Sequence, residues 1–196
     1  MIAIVDYGAG NLSSVKKAFD WLGKGNAITS DPEQVAKADQ IVLPGVGHFA
    51  STQSLSRSSL RESISTAIRR GTPFFGICVG MQWMFEGSEE SPETAGLGLL
   101  EGRCERFPAE VKSPHVGWNS LEVRSDSRLF RGVEQSPFVY FTHSFRCPLG
   151  SDTTACCEYG GSFSAAVERD RVFGVQWHPE KSGEVGLRVL ANFCAL

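Results

Sequence analysis

Residues 73–82 read Pro73-Phe74-Phe75-Gly76-Ile77-Cys78-Val79-Gly80-Met81-Gln82. An apolar run of strand length meets a helix-type run across Gly76-Ile77-Cys78-Val79-Gly80. Glycines on both sides of one cysteine mark a turn too tight for a side chain at either flank, the nucleophile-elbow pattern with a thiol in place of a hydroxyl. Strand, elbow and helix in that order predict an α/β fold with Cys78 projecting above the edge of the sheet. Two readings stand at Cys78. It is either a nucleophile beside the N–H donors and positive end of a helix, or a small core thiol whose glycines only allow close packing.

Outward from this stretch, the first half alternates strand and helix patterns. Strands are expected at Ile2 to Val5, Asn26 to Thr29, Ile41 to Leu43 and Pro73 to Ile77. Asn11 is placed to cap a helix carrying Leu12, Val15, Phe19 and Leu22 on one face, and Gly23 to end it. Asp31-Pro32 opens a short helix, and the serine-rich run 51–65 keeps a helical spacing at Leu60, Ile64, Ala67 and Ile68, so it reads as one surface helix. Val79 to Glu86 is expected to be helical and 87–96 a mobile polar loop. The second half is β-rich, with strands expected at Arg103 to Phe107, Asn119 to Val123, Phe138 to Phe141, Thr153 to Glu158, Phe163 to Val167 and Val172 to Gln176. A helix through Val185, Val189, Leu190 and Phe193 closes the chain. With 196 residues and neither internal repeat nor linker, one domain over 1–196 is expected.

The composition narrows the function. Nineteen Lys+Arg against 22 Asp+Glu give a net charge of −3, which is no signature for a polyanion such as nucleic acid. The longest apolar stretch, 73–85, is interrupted by Gly76, Gly80 and Gln82 and falls short of the roughly 20 residues that span a bilayer. Met1 leads straight into a strand with no basic segment before it, so a cytoplasmic chain is expected. Six cysteines without a C-x-x-C pair or an H-E-x-x-H motif suggest reduced core thiols and no metal. Gly8-Ala9-Gly10 lacks the full G-x-G-x-x-G, so no nucleotide cofactor is expected.

Two further segments bear on chemistry. Gln176-Trp177-His178-Pro179-Glu180 follows an apolar strand, and residues two apart in extended chain point the same way, so His178 and Glu180 share a side. A carboxylate on one imidazole nitrogen fixes the tautomer and leaves the other for the Cys78 proton; the alternative is a plain surface turn. Pro44-Gly45-Val46-Gly47 follows the strand expected beside that of Cys78. An N–H from this loop and that of Val79 would together make an oxyanion hole, though most such loops are only turns.

These segments resemble the class I, triad-type glutamine amidotransferases, which hydrolyse glutamine on a flavodoxin-like sheet. More narrowly, they look like those of the glutaminase subunits of imidazole glycerol phosphate synthases. The resemblance extends over nearly the whole chain. The elbow and His178-Pro179-Glu180 belong to the wider class. Asp6-Tyr7-Gly8-Ala9-Gly10-Asn11, Pro44-Gly45-Val46-Gly47, His115-Val116-Gly117-Trp118-Asn119 and Phe141-Thr142-His143-Ser144 narrow it.

The resemblance implies Cys78, His178 and Glu180 as the triad and Val46 or Gly47 with Val79 as the oxyanion hole. Gly45, Gln82, Glu90, His143, Ser144 and the backbone of Phe145 would be glutamine contacts. It further implies a (β/α)₈-barrel cyclase as partner, receiving ammonia, with Asn11, Trp118, Asn119 and Lys181 facing it. Trp177, Trp83-Met84, Phe145 and Ser91 depart from the family's usual residues; the first two changes read as packing, and Ser91 unsettles the role of Glu90. His48 and His115 read as structural or interface residues. The related glutaminases of pyridoxal phosphate synthesis resemble P-G-G-E-S where this chain has Pro44-Gly45-Val46-Gly47-His48. An inactive module of the same fold would be expected to have lost a triad residue, and all three are here.

Overall fold

The computed structural model describes residues 1–124 and 126–196. In chain order the elements are β1 (Ile2–Val5), α1 (Leu12–Trp21), β2 (Asn26–Thr29), α2 (Pro32–Ala36), β3 (Gln40–Gly45), α3 (Gln53–Arg57), α4 (Leu60–Arg69), β4 (Phe74–Cys78) and α5 (Val79–Gln82). There follow β5 (Gly87–Ser88), β6 (Ser91–Ala95), β7 (Arg103–Arg106), β8 (His115–Ser120), β9 (Glu122–Val123), β10 (Phe138–His143), β11 (Phe145–Arg146), β12 (Thr153–Glu158), β13 (Ser162–Arg169), β14 (Val172–Val175) and α6 (Gly183–Cys194). The main sheet runs β2-β1-β3-β4-β14-β13-β12-β9. Its first five strands pair in parallel and its last three antiparallel, the parallel α/β sheet with a β-rich extension that the alternating and then β-rich patterns predict.

Burial explains why the parallel strands are continuous apolar runs. Every residue of β1, β4 and β14 is buried, as expected for strands covered on both faces. Helix α1 packs beside α6, and α2 beside α4. From α6, Phe193 stacks on Phe75 of β4 at 5.0 Å and meets Phe173 of β14 edge-on at 6.1 Å, so the last helix is pinned over the two strands that carry the site.

Several local expectations are corrected. The run 51–65 is not one helix. A 3₁₀ turn over Phe49–Thr52 leads into α3, and Ser59, at φ +61°, breaks the path before α4. Leu55, Leu60, Ile64 and Ala67 are buried, so hydrophobic spacing persists across a break that the Ser58-Ser59 pair does not announce. Residues 87–96 form the β5/β6 hairpin, with β5 also pairing β7 in a four-stranded sheet ordered β11-β7-β5-β6. Asn11 sits at the cap of α1 without a side-chain bond, whereas Asp31 caps α2 by accepting from Glu33 N at 2.9 Å. The strand expected from Asn119 begins at His115 and pairs with β10 in a separate two-stranded ribbon. Helix α5 stops at Gln82 instead of running to Glu86, because the chain turns there to let Leu97 and Leu99 return against Trp83 and Met84.

Glycine sets how closely the elbow packs. A methyl at Gly80 would fall on the carbonyl oxygen of Leu43 in β3, and one at Gly76 would lie 2.5 Å from Gly80 O. Gly80→Ala is therefore expected to destabilise the protein by about 2 kcal/mol or more, since the obstacle is backbone and not a flexible side chain. Gly25, with open space around it, serves as the control. Urea unfolding of Gly80→Ala and Gly25→Ala checks this, and equal midpoints would contradict such close packing.

Candidate active site

The parallel register brings the site together. Strand β3 aligns Gly45 with Cys78, and β14 aligns Val175 with Ile77, which puts Gln176 level with Cys78 on the other side. Cys78 thus sits at the carboxyl ends of adjacent parallel strands, where ligands of open α/β sheets bind. Its backbone is held at φ +55°, ψ −110°, a left-handed conformation rare for a residue with a side chain. A strained cysteine between two tightly packed glycines is the elbow geometry, and it favours the nucleophile over the core-thiol reading. With α5 only four residues long, its macrodipole is small, and the free N–H groups opening the turn are what the sulfur neighbourhood offers.

His178 and Glu180 follow β14. His178 Nδ1 lies 2.9 Å from Glu180 Oε1, and both side chains are 1% exposed. The turn is pinned: His178 N donates to Tyr140 O at 3.0 Å, Ser182 Oγ donates to His178 O at 2.7 Å, and Tyr140 N donates to Ser182 Oγ at 3.0 Å. A buried, tethered pair of this kind is no surface turn. With Nδ1 committed to Glu180, the buried Nε2 has no hydrogen-bond partner among the described residues. Burial works against a charged imidazole, but Cys78 and Glu180 beside it outweigh that cost and push His178 up to about 10.

A cavity of about 320 Å³ opens beside Cys78. Val46, Gly47, Val79, Gln82, Glu90, His143, Ser144 and Phe145, all singled out in the sequence, line it with Cys78, as do Pro114 and Thr142. Gly45 does not. It is buried at the end of β3, where a Cβ would meet Tyr7 Oη at 2.5 Å and Val79 Cβ at 2.8 Å. Glu90 reaches the wall because one carboxylate oxygen accepts from Phe49 N at 2.7 Å, so Ser91 does not divert it.

Not every lining residue has a free polar group. His143 Nδ1 bonds Phe145 O at 2.8 Å and its Nε2 meets His115 Nδ1 at 3.1 Å, so both ring nitrogens are engaged. Burial drives His143 down to about 3 and His115 to about 4, and the His178 charge adds to the effect at His143. Phe145 O accepts from both His143 and Gln82, which uses its two lone pairs. The Phe145 ring faces the Arg106 guanidinium at 4.8 Å.

The residues singled out as partner-facing divide. Trp118 (57% exposed) and Lys181 stand out from the surface, and Asn11 is half-buried. Asn119 turns its amide inward to His115 Nε2 at 3.4 Å and Glu158 O at 3.2 Å. Sequence reasoning missed Tyr7, whose buried hydroxyl has no hydrogen-bond partner among the described residues and is pushed up by burial and by Cys78 nearby. It also missed Gln176, 3.6 Å from Cys78 Sγ. The signal for Gln176 was its place two residues before His178, on the same side of an extended chain. His48 caps the 3₁₀ turn through Ala50 N at 3.1 Å, a structural role as expected. Among the described residues no group of His, Cys, Asp or Glu is arranged to hold a metal, and no helix is long and apolar enough to cross a membrane.

Residues 3–195 match the family model described as glutamine amidotransferase class-I. The chain belongs to that family. Similar relatives include proteins named "Imidazole glycerol phosphate synthase subunit HisH". The one from Methanosarcina barkeri (strain Fusaro / DSM 804) is 44% identical over 196 residues, covering 98% of this chain and 96% of its own length. That from Methanothermobacter thermautotrophicus is 46% identical over 194 residues, covering 98% and 97%. Among solved structures, one titled "Crystal structure of glutamine amidotransferase" superposes with a TM-score of 0.78 at 20% identity, covering 100% of this amidotransferase and 98% of that chain. "Structure of PurLQS from Thermotoga maritima" gives 0.78 at 21%, covering 99% and 97%. At that identity these two speak for the fold alone.

The raised His178 makes a pH prediction. A folded-state value above that of free imidazole adds stability that is full below about 6.5 and is lost as the pH climbs toward about 10. The imidazole NMR signal of His178 is expected to stay in its protonated form through neutral pH, and Glu180→Gln to bring its midpoint down. A wild-type ring titrating near 6.5 would refute the electrostatics.

Proposed function

We propose that this amidotransferase is the glutaminase subunit of an imidazole glycerol phosphate synthase, residues 1–196 forming one catalytic unit. The observation that carries the reading is Cys78, strained at the elbow, with the buried His178–Glu180 pair just after the neighbouring strand β14 and a cavity that Cys78 lines with Val46 and Gly47. Relatives at 44–46% identity over nearly the whole chain support the choice of synthase.

The chemistry follows from the geometry. Cys78 Sγ, its proton taken by His178, attacks the side-chain amide carbon of L-glutamine. The oxyanion forms against the backbone N–H of Val79 and one from Val46 or Gly47, whose loop Gly45 lets approach the elbow. His178, protonated and held by Glu180, gives a proton to the departing nitrogen, and the C–N bond breaks to leave ammonia and a γ-glutamyl thioester. Water then attacks the thioester, His178 takes up its proton, and glutamate leaves with Cys78 restored. Glu90, with one oxygen committed to Phe49 N, has the other for the glutamine ammonium. Gln82 and Ser144 offer further polar contacts. His143 serves by holding Phe145 O, since its ring has no atom left for substrate. No step calls for a metal or organic cofactor.

Ammonia from this site goes to a partner. A relative named as a synthase subunit works with another subunit, and the acceptor we propose is a (β/α)₈-barrel cyclase making imidazole glycerol phosphate and aminoimidazole carboxamide ribotide in the cytoplasm. Strands β8 and β10 present Val116, Trp118 and Phe138, each more than half exposed, on the face that includes Thr142 at the cavity. Trp118 meets Tyr140 edge-on at 6.1 Å, and Lys181 Nζ lies 5.7 Å over the same ring. An apolar face with a cation at its edge, next to a site that releases ammonia, suits a docked subunit.

Cys78→Ser is expected to lower glutamine hydrolysis by orders of magnitude in the complex with the cyclase. Wild-type turnover by that variant would sink the assignment. The chain alone is expected to hydrolyse glutamine far more slowly than the complex with its ligand; equal rates would remove partner control. Affinity capture of the tagged chain followed by mass spectrometry should bring down a barrel cyclase, and Trp118→Ala should weaken the capture.

A further inference from the structure

Behind Cys78 lies a hydrogen-bond chain whose Gln176 end none of these hydrolytic steps uses. Its direction is set at one end by Phe145 O, a backbone carbonyl that can only accept. Because Gln82 approaches that oxygen at 3.0 Å, it must present its NH₂ group there. The same Nε2 lies 3.1 Å from the side-chain oxygen of Gln176. Cys147 Sγ, whose thiol burial pushes well up and so keeps protonated, also donates to Gln176 Oε1, at 3.7 Å. Two donors on one side turn the oxygen of Gln176 away from the nucleophile. Its Nε2 is then left facing Cys78 Sγ at 3.6 Å.

Nothing in this arrangement is free to turn. Gln176 and Cys147 are fully buried, Gln82 is 2% exposed, and Gln176 continues the β14–β4 register that sets it level with Cys78. Reversing the Gln176 amide would set its NH₂ against the NH₂ of Gln82 and its oxygen against the sulfur, losing acceptor and donor together.

We propose that Gln176 is a further catalytic residue: its side-chain N–H donates to Cys78 Sγ, steadying the thiolate and aiming it at the cavity, with Gln82, Cys147 and Phe145 O fixing the direction of that bond. The inference deepens the glutaminase reading and rests on Cys78 being its nucleophile. An N–H donor favours the charged sulfur over the thiol.

The test is the rate of Cys78 alkylation by iodoacetamide in the full chain without glutamine, followed by peptide mass. It compares wild type with Gln176→Met and Gln176→Glu. Both replacements match the length of glutamine; methionine offers no donor, and glutamate keeps the acceptor for Gln82 while facing the sulfur with oxygen. Each is expected to slow alkylation about tenfold or more at one pH, the size of a lost hydrogen bond to a charged group, with the KM for glutamine near wild type. Alkylation at the wild-type rate in either variant that folds would overturn the inference, because a packing role is met by methionine. Glutamine turnover lost with alkylation unchanged would overturn it too, while leaving the glutaminase reading standing. Slowed alkylation in a chain whose wild type never hydrolyses glutamine, even with the cyclase, would count against that reading and not against the contact.

Discussion

Gly80 lies so close to the carbonyl of Leu43 that no side chain fits between them. That approach ties α5 to β3 and leaves the chain one way to pass from β4 into the helix, through a left-handed residue at Cys78. A cysteine there cannot relax into the core beneath it. The strain is kept by the packing of Gly76 on Gly80 and by β3 and β14 on either side, so stability held in the parallel sheet maintains a conformation that an isolated turn would give up. Everything else at the site is placed relative to that fixed sulfur: Gly45 on one side, Gln176 on the other, and His178 two residues further on.

The electrostatics divide three buried histidines by their partners. His178 has an unshared carboxylate and a sulfur beside it and is pushed up to about 10, whereas His143 and His115 have only neutral partners and are driven down to about 3 and 4. Of the three rings, only that of His178 is held toward its protonated form. The neutral pair is the better for this, because a second charge near His178 would oppose the first.

How much of this is legible in the sequence depends on how local the cause is. The parallel strands are, since a strand buried on both faces must be apolar throughout, as Ile2–Val5 and Phe74–Cys78 are. The elbow is, because glycines on both sides of one cysteine, between an apolar strand and a helix, permit the tight turn that larger residues would block. His178 with Glu180 is legible too, through their spacing. The break at Ser59 is not, because one left-handed serine interrupts the chain while the hydrophobic spacing of α3 and α4 continues across it. Nor is the end of α5, or the hairpin over 87–96, whose strands are polar and are set by pairing with β7. Gln176 escapes for a related reason: its importance lies in register with Cys78, 98 residues away, and register is a property of the sheet. The family resemblance makes His143 a substrate contact, yet its ring is used up by Phe145 O and His115.

If Cys78 takes the γ-glutamyl group from glutamine, the sulfur must carry that group during turnover. Acid-quenching the cyclase complex at that stage and measuring the peptide masses of the glutaminase chain tests this most directly. The peptide holding Cys78 should carry the mass of one γ-glutamyl group, removed by hydroxylamine as a thioester is. Turnover with that peptide unmodified, or with the group on Cys104 or Cys147, would contradict a nucleophilic Cys78.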